Sequence, residues 1–146
     1  MTVLPEFNTE GDLPKGVYAT TLEHVRSRFG AVGPARRILY QRLQRAFELA
    51  KLTGHLKRFV VFGSFVTAKV EPNDVDIFMI MDDDFKVDVL SDDARILFQH
   101  DEADSVLGVS AFWLRQEAVF GSESDAIEFW QGTRTGVKRG IIELIG

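Results

Sequence analysis

Residues 58–81, RFVVFGSFVTAKVEPNDVDIFMIM, constrain the fold of this chain more than any other stretch. Two apolar runs, 59–62 and 75–81, flank a turn of small residues, Gly63 and Ser64, and a short polar link. Runs of this length, rich in Val, Ile and Phe, predict two buried strands. Strand side chains alternate, so Asp74 and Asp76 at the entrance to the second share one face about 7 Å apart along the backbone, while Val75 and Ile77 point into the core. Neighbouring carboxylates repel each other. A fold keeps them where a cation sits between them, and hard divalent cations prefer oxygen ligands. Gly63-Ser64 follows a strand and can open a helix, and free backbone N–H groups at such a point suit a phosphate. Facing a two-carboxylate metal site, that cradle supplies the parts of metal-assisted nucleotidyl or phosphoryl transfer.

The pattern Phe62, Gly63, Ser64, nine residues, Asp74, Val75, Asp76, Ile77 resembles the signature of the DNA polymerase beta-like nucleotidyltransferase superfamily. The fuller string GSFVTAKVEPNDVDI, with LPKGVYATTLEHVRSRF near the start and VKRGIIELI at the end, looks like a small group of uncharacterised prokaryotic proteins placed in that superfamily. The resemblance implies Mg²⁺ or Mn²⁺ held by Asp74 and Asp76, a nucleoside triphosphate as substrate with ATP expected, and Gly63 and Ser64 against its phosphates. It also implies a third carboxylate on a neighbouring strand, for which Asp104 is the candidate, with Asp101 and Glu102 in the same acidic run as competitors. One departure is visible. Many members carry a small or basic pattern after the Ser, ending in Gly or Arg, where this chain has Phe65-Val66-Thr67-Ala68-Lys69. Lys69 is therefore a candidate phosphate contact, beside the plainer reading of a surface lysine.

The remaining sequence sets bounds. A chain of 146 residues, 45% apolar and 27% charged, fits one globular domain with an ordinary core. The expected plan is an extended arm over 1–16, a helical part over 20–53 and a sheet core over 57–146. The absence of cysteine excludes disulfides and thiolate-bound zinc and fits a reducing, cytoplasmic setting. The acidic start, MTVLPEFNTEGD, is no signal peptide, and no apolar run reaches membrane-spanning length. The net charge of −5 argues against broad, non-specific nucleic-acid binding, although a nucleic-acid end remains open as an acceptor.

Along the chain, Thr20 and Glu23 have capping-box spacing, so a helix is expected from Thr20 or Thr21, broken by 30–33. Pro34 suits the first turn of the next helix, which should run to about Leu52, with Gly54 as its stop. Its apolar stripe is Ile38, Leu39, Leu43, Ala46, Phe47 and Ala50; Arg36, Arg37, Arg42, Arg45 and Lys51 form a solvated basic face, or a surface for an acidic partner or RNA. Asp82, Asp83 and Asp84 read as a solvated loop. Ser91 caps a helix reaching about Gln99. Residues 105–111 read as a strand entered by Asp104, and 140–145 as a final strand. Residues 112–120 read equally as loop or helical turns, and a short helix follows Ser122 or Ser124.

Each candidate has a plainer alternative. Pro72-Asn73-Asp74 is good turn chemistry. Arg134, Lys138 and Arg139 could bind triphosphate charge left over by a metal, or form a polar loop. The histidines show no metal-ligand spacing; Trp113 and Trp130 read as core or rim, with Trp130 against a base as the alternative. The expected fold is α/β of the α+β kind, a nucleotidyltransferase-like mixed sheet of about four strands with two N-terminal helices packed on it. The expected activity is transfer of a nucleoside monophosphate from a triphosphate to a hydroxyl acceptor, with catalytic Asp74, Asp76 and Asp104 and nucleotide-binding Gly63, Ser64, Lys69, Arg134 and Lys138. The alternative is a non-catalytic partner module, such as half of a toxin–antitoxin or phage-defence pair. A protein partner or a homodimer would fit the chain's shortness.

Overall fold

The computed structural model describes residues 3–146. Among these residues β1 (Val17–Thr20), β2 (Leu56–Phe62), β3 (Val75–Met81), β4 (Val109–Arg115) and β5 (Ile141–Leu144) form a five-stranded mixed sheet in the order β1-β5-β2-β3-β4. β2 is antiparallel to both neighbours, β3 and β5, whereas the outer pairs β1–β5 and β3–β4 are parallel. The α+β class matches expectation, with one strand more than the four foreseen. The additional strand is β1, read from sequence as arm and helix start. Four residues show no decisive alternation, and β1 is a strand because β5 pairs with it, Val17 opposite Ile141 through Thr20 opposite Leu144.

α1 (Leu22–Val25) is capped by Thr21, whose hydroxyl accepts the His24 N–H at 3.4 Å. The Thr20–Glu23 box does not form. Thr20 ends β1 and is fully buried, and Glu23 instead pairs with Arg26 at 2.5 Å. A π-helical turn, Arg26–Gly30, leads to α2 (Pro34–Leu52), which starts and stops as the sequence predicts. Its buried stripe holds Leu39, Leu43, Ala46, Phe47 and Ala50, but Ile38 is half exposed. Helical spacing explains the exchange: one turn back from Leu39 lies residue 36, not 38.

Arg36 therefore belongs to the buried stripe rather than the basic face, and its guanidinium is a structural hub. It donates to the carbonyls of Phe29 at 3.1 Å, Phe65 at 2.7 Å, Thr67 at 2.7 Å and Lys69 at 2.5 Å. Burial holds its pKa below the ordinary arginine value. The other basic residues are partly engaged, Arg45 with Asp93 at 3.7 Å and Lys51 with the Gly146 carbonyl at 3.0 Å.

α3 (Asp92–Leu97) is capped by Ser91 as expected and ends two residues earlier than foreseen. α4 (His100–Glu102) continues into a second π-helical turn, Ala103–Leu107, closed by Gly108 in the left-handed region. β4 begins only at Val109, so the strand expected over 105–111 is displaced toward the C-terminus. The reason lies in Gly108, which acts as a helix stop rather than a strand residue. α5 (Glu123–Glu128), capped by Ser122, follows β4 after a 3-10 turn, Gln116–Ala118. The sheet separates two cores. Val75, Ile77, Met79 and Met81 join α2 in the main core; Phe78 and Ile80 join Val60, Ile141 and the α5 residue Ile127 in a smaller one.

Removing the Arg36 hub leaves four carbonyls without their donor. Arg36→Leu is expected to lower stability by about 3 kcal/mol or more, because each stranded acceptor retains its desolvation cost. Arg36→Lys, which keeps the charge but loses the planar fork, should recover only part of that loss. Urea titration of the three proteins checks the ranking; equal midpoints would remove the hub from the account.

Candidate active site around Gly63 and the aspartate pair

β2 and β3 pair in antiparallel register with Phe62 opposite Asp76, so the next residue, Gly63, turns the chain directly over that carboxylate. Gly63 has φ +81°, and a Cβ added to it would fall on the Asp76 carboxylate, closest to Oδ2. Only glycine combines that dihedral with that approach. The elbow and the Asp76 carboxylate are thus in direct contact. Ser64–Val66 forms a single 3-10 turn rather than the helix start expected, and Thr67 closes it by donating its N–H and hydroxyl to the Ser64 carbonyl at 3.2 and 2.7 Å. Among the described residues the Ser64 hydroxyl has no hydrogen-bond partner.

Asp74 is exposed, and Asp76 is half-buried on the sheet face opposite α2. Burial first and the neighbouring Asp74 charge second push the Asp76 pKa up to about 6, with Arg139 acting in the opposite direction. No hydrogen bond reaches either carboxylate among the described residues. The donor set is hard oxygen, and a desolvated carboxylate beside a second one is stabilised by a cation. The residues present therefore fit a divalent ion such as Mg²⁺.

Two groups outside the Gly-Ser and aspartate motif complete the surroundings. Arg139 donates to Asp12 Oδ1 at 3.5 Å. Asp12 lies in the N-terminal arm, which runs alongside the segment after the elbow: Asp12 bridges to Thr67, and the Ala68 N–H donates to the Gly11 carbonyl at 2.8 Å. Arg139 belongs to the basic cluster noted in the sequence. Asp12 carries no local signal and is placed only by the fold of the arm.

The remaining candidates sit on other elements. Asp104 does not enter a strand. It is exposed on the Ala103–Leu107 turn, whose Ala103 and Leu107 pack into the α2-side core, whereas Asp76 faces the other side of the sheet. The β4 residue in register with Asp76 is Ser110. Among the described residues no group of three or more His, Asp or Glu side chains is arranged to hold a metal. Lys69 is exposed, and its main-chain carbonyl is tied to Arg36. Arg134 and Lys138 are exposed on a loop closed by the Gly132–Lys138 bridge. Asp82 and Asp83 have structural partners: Asp82 bonds the His55 ring at 2.8 Å, and Asp83 accepts the Glu117 N–H at 2.7 Å.

The raised Asp76 pKa fixes a sign. An acid with a folded pKa of about 6 against an ordinary 3.8 is most favourable to folding below about pH 4, and that contribution is lost as pH rises through about 6. Asp76→Asn should therefore be more stable than the parent at pH 7 without metal, by about 1–2 kcal/mol after solvent screening of a partly open site. The gap should close at pH 4. Thermal melts at the two pH values check this; a gap that is the same at both would refute it.

No helix among the described residues is long and apolar enough to cross a membrane. No curated protein and no solved structure matches the chain. One family model matches residues 5–145, under the description "Family of unknown function (DUF6932)". That match spans nearly all of the sequence, and the chain belongs to this family.

Proposed function

We propose that the protein binds a Mg²⁺–nucleoside triphosphate, with ATP as the expected nucleotide, and transfers the nucleoside monophosphate to a hydroxyl acceptor, as a small member of the polymerase beta-like nucleotidyltransferases. The observation that carries this reading is the Asp76 carboxylate lying against Gly63, half-buried and without a hydrogen-bond donor among the described residues. Asp74 and Asp76 would hold the ion. Mg²⁺ or Mn²⁺, when bound, offsets phosphate charge and polarises the phosphoryl oxygens. Gly63 lets the Asp76 carboxylate stand against the main chain, and the Ser64 hydroxyl, unpartnered among the described residues, is free to donate to a phosphate beside it. Arg139, steadied by Asp12, and the loop cations Arg134 and Lys138 offer charge to the remaining phosphate oxygens. In the reaction the acceptor oxygen forms a bond to the α-phosphorus and gives up its proton to solvent, the bond to the bridging oxygen breaks, and pyrophosphate leaves. A protein side chain, a nucleic-acid end or a small molecule could supply the hydroxyl. Freedom from cysteine suits a reducing compartment such as the cytoplasm.

One observation favours a second reading. Ser110 occupies the strand position beside Asp76 where a third carboxylate would stand, so the site offers two acids. Two acids suffice to hold one ion and a nucleotide. They lack the additional group that positions a second ion or takes the acceptor proton, and a nucleotide-binding module paired with another protein fits that set.

Calorimetry with Mg²⁺ and ATP tests the shared premise. Binding is expected in the wild type, weakened at least about tenfold by Asp76→Asn, and weaker below pH 6 as Asp76 takes up a proton. Gly63→Ala should lose binding as well. Pyrophosphate release from ATP that disappears in Asp76→Asn supports transfer; tight binding with no release supports the module; no binding at millimolar ATP overturns both.

A further inference from the structure

Building on the nucleotide reading above, we infer that the groove around the outer edge of β4 receives the purine base of the bound nucleotide, stacked on the exposed faces of Phe112 and His100. The groove is a cavity of about 360 Å³ lined almost wholly by aromatic and apolar side chains. A run of tilted ring contacts links its wall to the acid site. Phe62, the residue opposite Asp76, lies 4.6 Å from Trp130 between ring centroids; Trp130 lies 5.1 Å from Phe112; Phe112 lies 4.9 Å from His100. Phe112 is in register with Phe78, the next residue after Asp76 on the same face. At strand rise that step is about 7 Å, comparable to the distance from an α-phosphate to the base it carries. Phe112 is over a third exposed and His100 is exposed, so ring faces are open to a ligand.

The polar groups around the groove suit a base edge. His100 Nδ1 donates to the Ala111 carbonyl at 3.0 Å, so in the neutral ring Nε2 is an acceptor. The same bond shows that Ala111 directs its main chain to the free edge of β4. Alternation directs the main-chain N–H and C=O of Trp113 the same way, a donor and an acceptor beside the rings. Adenine presents an adjoining donor and acceptor of its own, N6–H and N7. Sequence-tolerant stacking on aromatic faces supplies the affinity.

The test uses the full chain in calorimetry, with tryptophan emission as a second readout, and three probes: Mg²⁺–tripolyphosphate, Mg²⁺–ATP and adenosine. Phe112→Leu keeps apolar volume while removing the ring, and His100→Ala changes an exposed residue; thermal melts confirm that both fold. ATP is expected to bind about tenfold more tightly than tripolyphosphate, the worth of one stacked base, and to quench tryptophan emission. Both variants should remove that advantage and leave tripolyphosphate unchanged. Tripolyphosphate binding that depends on Asp76, with no advantage for ATP, overturns the base groove and spares the phosphate site. Adenosine binding lost in Phe112→Leu, with tripolyphosphate failing to bind, supports the groove and overturns the phosphate site. Failure of all three probes overturns both.

Discussion

One guanidinium organises the region on which everything else rests. Arg36 reaches from the long helix to the end of the first π turn and to three carbonyls of the irregular segment that follows the elbow. That segment lacks a regular hydrogen-bond ladder, and its main-chain acceptors need partners once they are covered by helix and arm. A charged donor with a planar fork meets several of them at once. Among the described residues no carboxylate is hydrogen-bonded to it, and oriented carbonyl dipoles balance its charge. The elbow over Asp76 is held from behind by this contact, which makes the long helix a support for the site even though it lies on the opposite face of the sheet.

The aspartate pair shows the tension between folding and use. Burying Asp76 beside a second acid and beneath Gly63 raises its pKa to about 6, a cost to the empty protein near neutrality. A chain selected for stability alone would place an amide or an apolar residue there. Retaining an acid where it disfavours the fold is characteristic of a site whose ligand supplies the compensating charge.

What the sequence revealed, and what it did not, follows from where the determining forces act. β3 and α2 were legible to the residue because their signals are local: a continuous apolar run, a 3.6-residue stripe, a proline start and a glycine stop. The elbow and its acids were legible as a spacing. β1 was not, since a four-residue strand is made by its partner. Arg36 was misassigned because arginine is so seldom buried, although the stripe itself, carried back one turn, passes through it. Asp104 was misplaced by reading weak alternation through Gly108, a helix stop. Asp12 and the ring path from Phe62 to His100 depend on contacts between distant segments and have no local signature.

The pairing of β1 with β5 has a consequence for how the molecule is made. β1 cannot settle until residues 141–144 exist, because its ladder partners lie at the other end of the sequence. During synthesis the arm that carries Asp12 can dock on the segment after the elbow, but the strand that follows it waits without a ladder while the elbow, the acid strand and the long helix are already able to collapse together. The cationic side of the site closes only when that ladder forms, so a nascent or C-terminally clipped chain would present its acids without their neighbouring arginine in place.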